Sequence, residues 1–191
     1  MGISEINYDI QFEPLFSNFT FRGMEILSFK TTPSNKFVLN CAEIKIQKCY
    51  ILSKNKTIDV NFKLDTKKEL LSIISKSKVS GKIKLCIEYT GILNDRLLGF
   101  YRSKYTDPSG KTKYLATTQF EAADARRAFP CWDEPATKAT FDVSLLVEKN
   151  YMAISNMPIR KKQNFGSKII YEFERTPIMS TYLLYLGVGE F

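Results

Sequence analysis

Between Thr117 and Pro135 the chain reads TTQFEAADARRAFPCWDEP, a run in which acids, arginines and aromatics crowd together. In Thr118-Gln119-Phe120-Glu121 the alternation of a strand sends Phe120 to one face and both Gln119 and Glu121 to the other, so an amide and a carboxylate stand side by side. Asp124 is placed to cap a short helical turn from Ala125 to Phe129, which Pro130 limits. Arg126 and Arg127 then face the carboxylates of Asp133 and Glu134. The run has the character of an active-site rim, but the chain contains no histidine, which excludes Ser/His and Cys/His nucleophilic dyads. No residue of this chain is expected to be catalytic or to bind a metal. Read from residues alone, Glu121 is also an ordinary acid at a strand end. An arginine paired with Asp133 or Glu134 at the surface is a structural ion pair contributing ~0 to 1 kcal/mol, and Trp132 belongs to a core or a domain interface.

The elements that must position this run are strands. Ile6, Tyr8, Ile10 and Phe12 alternate with Asn7, Asp9 and Gln11, and a second strand with Phe19, Phe21, Met24, Ile26 and Leu27 completes a hairpin across the turn at Pro14 to Asn18. Gly23 marks a bulge or a close backbone approach. Further strands are expected at Lys36–Cys41, Glu43–Leu52, Thr57–Leu64 and Lys82–Tyr89. The stretch from Glu69 to Ile74 has apolar residues at helical spacing but is assigned as strand because its neighbours are strands. Asp107-Pro108-Ser109-Gly110 should close a hairpin or longer loop, and strands resume at Ala139–Val147, Met152–Ser155, Lys168–Glu174 and Tyr182–Glu190. No linker or fixed-period repeat divides the chain. The expectation is an all-β fold over residues 1–191, one β-rich domain with two or more packed antiparallel or mixed sheets and only short helical turns.

Composition narrows the partners. Forty-four per cent of the 191 residues are hydrophobic, enough for a substantial core. No apolar run approaches the roughly 20 residues that span a bilayer, and the N-terminus lacks the order of a signal peptide, so a cytoplasmic protein without membrane contact is expected. Ile6 stands where a myristoylation signal needs Ser or Thr. The net charge of +8 comes from lysines scattered over turns and alternate strand positions, which solvated faces explain without a nucleic-acid ligand. Cys41, Cys49, Cys86 and Cys131 lack the close pairing of structural zinc sites and read as buried free thiols. The last residues, Thr181 to Phe191, have strand character without a polar tail, as expected of a piece of a longer chain.

Four blocks occur in an order that resembles the N-terminal domain of zinc aminopeptidases of the aminopeptidase N type, the gluzincins, with archaeal tricorn-interacting aminopeptidases the nearest likeness. They are Gly99-Phe100-Tyr101-Arg102-Ser103, Thr118 through Ala136, Ala153-Ile154-Ser155-Asn156-Met157-Pro158, and Met179-Ser180-Thr181-Tyr182-Leu183-Leu184. The long central block is the specific one, and the likeness covers the whole chain. It implies a saddle-like β domain lying against a thermolysin-like catalytic domain, with that catalytic domain and the peptide N-terminus as partners. The catalytic domain would carry zinc on HExxH and a distant Glu, together with a GxMEN-type motif. None of these is present here, so no cofactor is expected in this chain and the isolated chain should be inactive.

The resemblance further implies that Glu121 binds the free α-ammonium of the substrate, that Gln119 lines the first side-chain pocket, and that the Glu121–Ala122 bond is cis. Zinc-activated water would attack the first peptide carbonyl, with the absent domain supplying the general base. The alternative is a scaffold or interaction module, because a large transcription-factor subunit carries the same domain without peptidase activity.

Overall fold

A computed structural model describes residues 2–54 and 56–191. Hydrophobic alternation shapes the first strands: β1 (Ile3–Leu15) buries Tyr8, Ile10 and Phe12, and pairs antiparallel with β2 (Thr20–Asn40). The other strands are β3 (Lys45–Ser53), β4 (Lys56–Asp65), β5 (Leu70–Ile92), β6 (Gly99–Thr106), β7 (Thr112–Gln119), β8 (Thr140–Glu148), β9 (Met152–Ser155), β10 (Ile159–Phe165), β11 (Lys168–Phe173) and β12 (Leu186–Gly189). Helical structure among the described residues is limited to two 3₁₀ turns, Ala125–Arg127 and Thr181–Leu183. The all-β expectation holds.

Eight strands form a large mixed sheet in the order β10-β11-β8-β1-β2-β5-β3-β4, in which β1 and β8 run parallel. Four form a small antiparallel sheet in the order β6-β7-β12-β9. The inner faces meet through aromatic rings. Phe100 of β6 stands 5.7 Å from Phe12 and 5.3 Å from Phe21, ring centre to ring centre, joining the small sheet to the large one. Tyr8 stacks on Phe141 at 5.1 Å, and Phe129 meets Tyr8 edge-on at 5.6 Å. Each such side chain, fully buried, contributes roughly 1.5 to 3 kcal/mol of transfer free energy, so this seam between the sheets is a main source of cohesion. At Gly23 the backbone approach is close: an added Cβ would lie 2.1 Å from the ring of Tyr89.

Several strand expectations are corrected. Lys36–Cys41 and the stretch from Glu69 are not separate strands but the far halves of β2 and β5, which pair with each other along nearly their whole lengths. The polar residues between the halves read as turns, yet they stay extended across register shifts between Thr31 and Lys36. The segment Tyr182–Glu190 is strand only from Leu186 to Gly189. Strand β10 has every residue exposed and therefore no alternation to detect. The hairpin at Asp107 forms as expected: its carboxylate accepts from the Ser109 hydroxyl at 2.7 Å and from the Ser109 and Lys111 N–H groups at 2.8 and 3.0 Å. These hydrogen bonds, the Ser109 hydroxyl first, hold the Asp107 carboxyl below its ordinary range.

Candidate functional site

Strand β7 delivers Gln119 and Glu121 to the rim of the small sheet. Phe120 between them is buried and packs edge-on against Phe129 at 6.2 Å, and both flanking side chains are exposed, as alternation requires. The Glu121 N–H donates to Gln119 Oε1 at 3.3 Å, which ties the two residues together. The Glu121–Ala122 peptide bond is cis, as the resemblance implied. Beyond it the chain turns, with the Asp124 N–H donating to the Phe120 carbonyl at 2.9 Å, and enters the 3₁₀ turn Ala125–Arg127. Burial of Ala125, Ala128 and Phe129 pins this turn to the core.

The arginines hold the turn from its other side. Arg126 Nε donates to Asp133 at 2.9 Å, and its Nη1 to Glu69 at 3.2 Å. Arg127 reaches Asp124 at 2.8 Å, Glu43 at 2.8 Å and Glu69 at 3.1 Å. Partial burial alone would lower both guanidinium pKa values; the hydrogen bonds, to Asp133 for Arg126 and to Asp124 for Arg127, outweigh it and raise them. Asp133 is the buried anchor, its side chain 1% exposed, and it also accepts from the Thr181 hydroxyl at 2.8 Å. Trp132 belongs to the core: its indole N–H donates to the Val38 carbonyl at 2.9 Å, and its ring meets Phe29 edge-on.

Two expectations about this turn change. Asp124 does not cap it through its side chain, because that carboxylate is engaged by Arg127. Glu134 is exposed and makes no ion pair among the described residues; Glu43 and Glu69 take that part. Both sit at turns with left-handed backbone, φ 57° and 54°, positions where glycine is usual. That backbone conformation is visible only in the fold, and no local sequence signal marks these two acids. They lie 57 to 84 residues from the arginines they pair with, so spacing could not connect them.

Glu121 differs from the acids that hold the arginines. Among the described residues its carboxylate accepts no hydrogen bond and makes no ion pair, so it stands open at the rim. It lies exposed just beyond the end of β7, the strand between β6 and β12 in the small sheet. Three cavities, of about 440 Å³ beside Leu52, Lys82 and Lys84, about 380 Å³ beside Asp9, Asp142, Arg160 and Arg175, and about 370 Å³ beside Lys48, Tyr50 and Asp59, are lined by neither Gln119 nor Glu121.

All four cysteines are buried and unpaired. Burial pushes the thiols of Cys41 and Cys49 up to about 12. Among the described residues no three His, Cys, Asp or Glu side chains gather as a metal site. No helix there is long and apolar enough to cross a membrane.

Comparison with known proteins gives these features their relatives. Aminopeptidase 2 of Candida albicans is 42% identical over 193 residues, covering 99% of this chain and 20% of its own length. The alanine/arginine aminopeptidase of Saccharomyces cerevisiae is 43% identical over 194 residues, covering 99% of this chain and 22% of its own. Aminopeptidase M1 of Arabidopsis thaliana is 36% identical over 191 residues, covering 96% and 22%. The chain thus spans about a fifth of the length of these relatives. The family model of the peptidase M1 N-terminal domain matches residues 4–183, and the chain belongs to that family.

Proposed function

We propose that these 191 residues act as one β-rich unit, the substrate-recognition part of a cytoplasmic zinc-dependent aminopeptidase that removes N-terminal residues from peptides. Glu121 binds the free α-ammonium of the peptide, and Gln119 lines the pocket for the first side chain. The observation that carries this reading is the open carboxylate of Glu121. The acids that hold the turn, Asp124, Asp133, Glu43 and Glu69, are all paired with arginines, whereas Glu121 beside Gln119 engages no cation among the described residues. A carboxylate in a partly dehydrated cleft makes charge-assisted hydrogen bonds to an ammonium worth roughly 1.5 to 3 kcal/mol each, and a blocked N-terminus forgoes them. Selectivity for free amino ends follows.

Zinc belongs to the partner, a catalytic domain of the same protein, because this chain has no histidine and no cluster of ligands among its described residues. There it would activate the attacking water.

The test uses the full-length protein. Glu121→Gln, whose amide oxygen still accepts but carries no charge, should lower kcat/KM on free-amine substrates about five- to tenfold, the charge assistance of one such bond. An unchanged value would refute the role of Glu121. A reading frame without HExxH beyond Phe191 would refute the enzyme in favour of a scaffold, and turnover by the isolated chain supplied with zinc would contradict the division of labour.

A further inference from the structure

The outer face of the small sheet has an aromatic ring where its backbone has none to offer. In β12, Leu186 and Val188 point into the core and are fully buried, which leaves Gly187 and Gly189 on the outer face. The space over Gly187 belongs to Tyr185: a Cβ added at Gly187 would lie 2.8 Å from the tyrosine hydroxyl oxygen and 3.2 Å from its Cε1.

The ring is tied at its hydroxyl, and the Tyr185 backbone is held on both sides. The Thr117 hydroxyl lies 3.3 Å from the tyrosine hydroxyl. The Tyr185 N–H donates to Asn156 Oδ1 at 2.8 Å, and its carbonyl accepts from the Ser155 hydroxyl at 2.8 Å. Burial does not explain the arrangement, since Tyr185 remains 38% exposed, with Ile154 and Leu183 also exposed on the same sheet and the turn before it. Its place along β7 is informative. Gly187 pairs with Thr117, and the Leu186 N–H donates to Thr118 Oγ1 at 2.9 Å; carried one residue further, this antiparallel register sets Tyr185 opposite Gln119, with the ring leaning back over Gly187 toward Thr117.

We propose that Tyr185 is a specificity-determining residue, its ring forming the apolar wall of the first side-chain subsite next to Gln119 and favouring large apolar first residues over alanine. The inference rests on the reading of Glu121 as the ligand of the substrate amine. A flat ring already seated over Gly187 and tied to Thr117 offers contact area without a further loss of rotamer freedom, and a large apolar side chain covers it where alanine does not reach.

The experiment compares alanyl, leucyl and phenylalanyl reporter substrates with the full-length protein and its variants. Tyr185→Ala should lower kcat/KM for the leucyl and phenylalanyl substrates about tenfold relative to alanyl, as a lost apolar contact does. Tyr185→Phe, which keeps the ring, should retain the preference. Should Tyr185→Ala fail to fold, Gly187→Ala displaces the ring from its seat and should weaken the preference likewise. A uniform fall across the three substrates, or an unchanged ratio, overturns the role of Tyr185. Glu121→Gln separates the two readings: it should depress all three substrates together, and no effect from it would overturn the amine site and the Tyr185 proposal with it.

Discussion

Glu25 should make this protein lose stability as pH rises from acid to neutral. It points from β2 into the core opposite Ile10 and Ile87, is fully buried, and among the described residues neither carboxyl oxygen has a hydrogen-bond partner; the hydroxyl of nearby Tyr89 is likewise unpartnered there. Burial pushes its carboxyl well above the ordinary value of 4.5. The unfolded chain can release this proton above pH 4.5 while the folded chain holds it, so the unfolded state gains about 1.4 kcal/mol per pH unit until the folded carboxyl also ionises. While Glu25 stays protonated, the penalty grows from about 1 kcal/mol at pH 5 to about 3 kcal/mol at pH 7. Glu25→Leu removes it. Urea unfolding of both proteins at pH 5, 6 and 7 should show the variant's advantage widening by about 2 to 3 kcal/mol over this range. The absence of histidine keeps that window free of imidazole titration, and groups common to both proteins cancel in the difference. An advantage constant with pH, or one that narrows, would refute the buried neutral carboxyl.

The arginine turn and the thiols provide further checks. Arg126→Ala strands the carboxylate of Asp133 in the core and should cost about 3 kcal/mol, whereas Glu43→Ala, at a side chain 42% exposed, should cost under about 1 kcal/mol; equal losses in denaturant unfolding would contradict the division between anchor and rim. Cys41 and Cys49, raised to about 12, should resist a thiol reagent at pH 8 in the native protein and react on unfolding, and rapid native labelling of either would show that it is not buried as described.

Much of the architecture was legible locally. Period-two alternation located β1, and the Asp-Pro-Ser-Gly signal located the β6–β7 hairpin, because both depend on neighbours in sequence. The same reasoning placed Gln119 and Glu121 on one face. It failed where partners decide the outcome. Polar stretches inside β2 and β5 remain extended because the two strands pair with each other across them, and exposed β10 is a strand because β11 offers it an edge.

The residue order by itself determined the class of fold, the side-by-side amide and carboxylate, and, through the missing histidines, that the zinc ligands of an HExxH motif are not in this chain. Tertiary structure alone decided which acids are occupied. Glu43 and Glu69 come from distant turns to neutralise Arg126 and Arg127, and Glu121 is left open, while Glu25 is enclosed without a partner. Charge pairing acts over a few ångströms of space whatever the separation along the chain. The sequence therefore names the carboxylates, and the fold sorts them into brace, buried liability and candidate ligand.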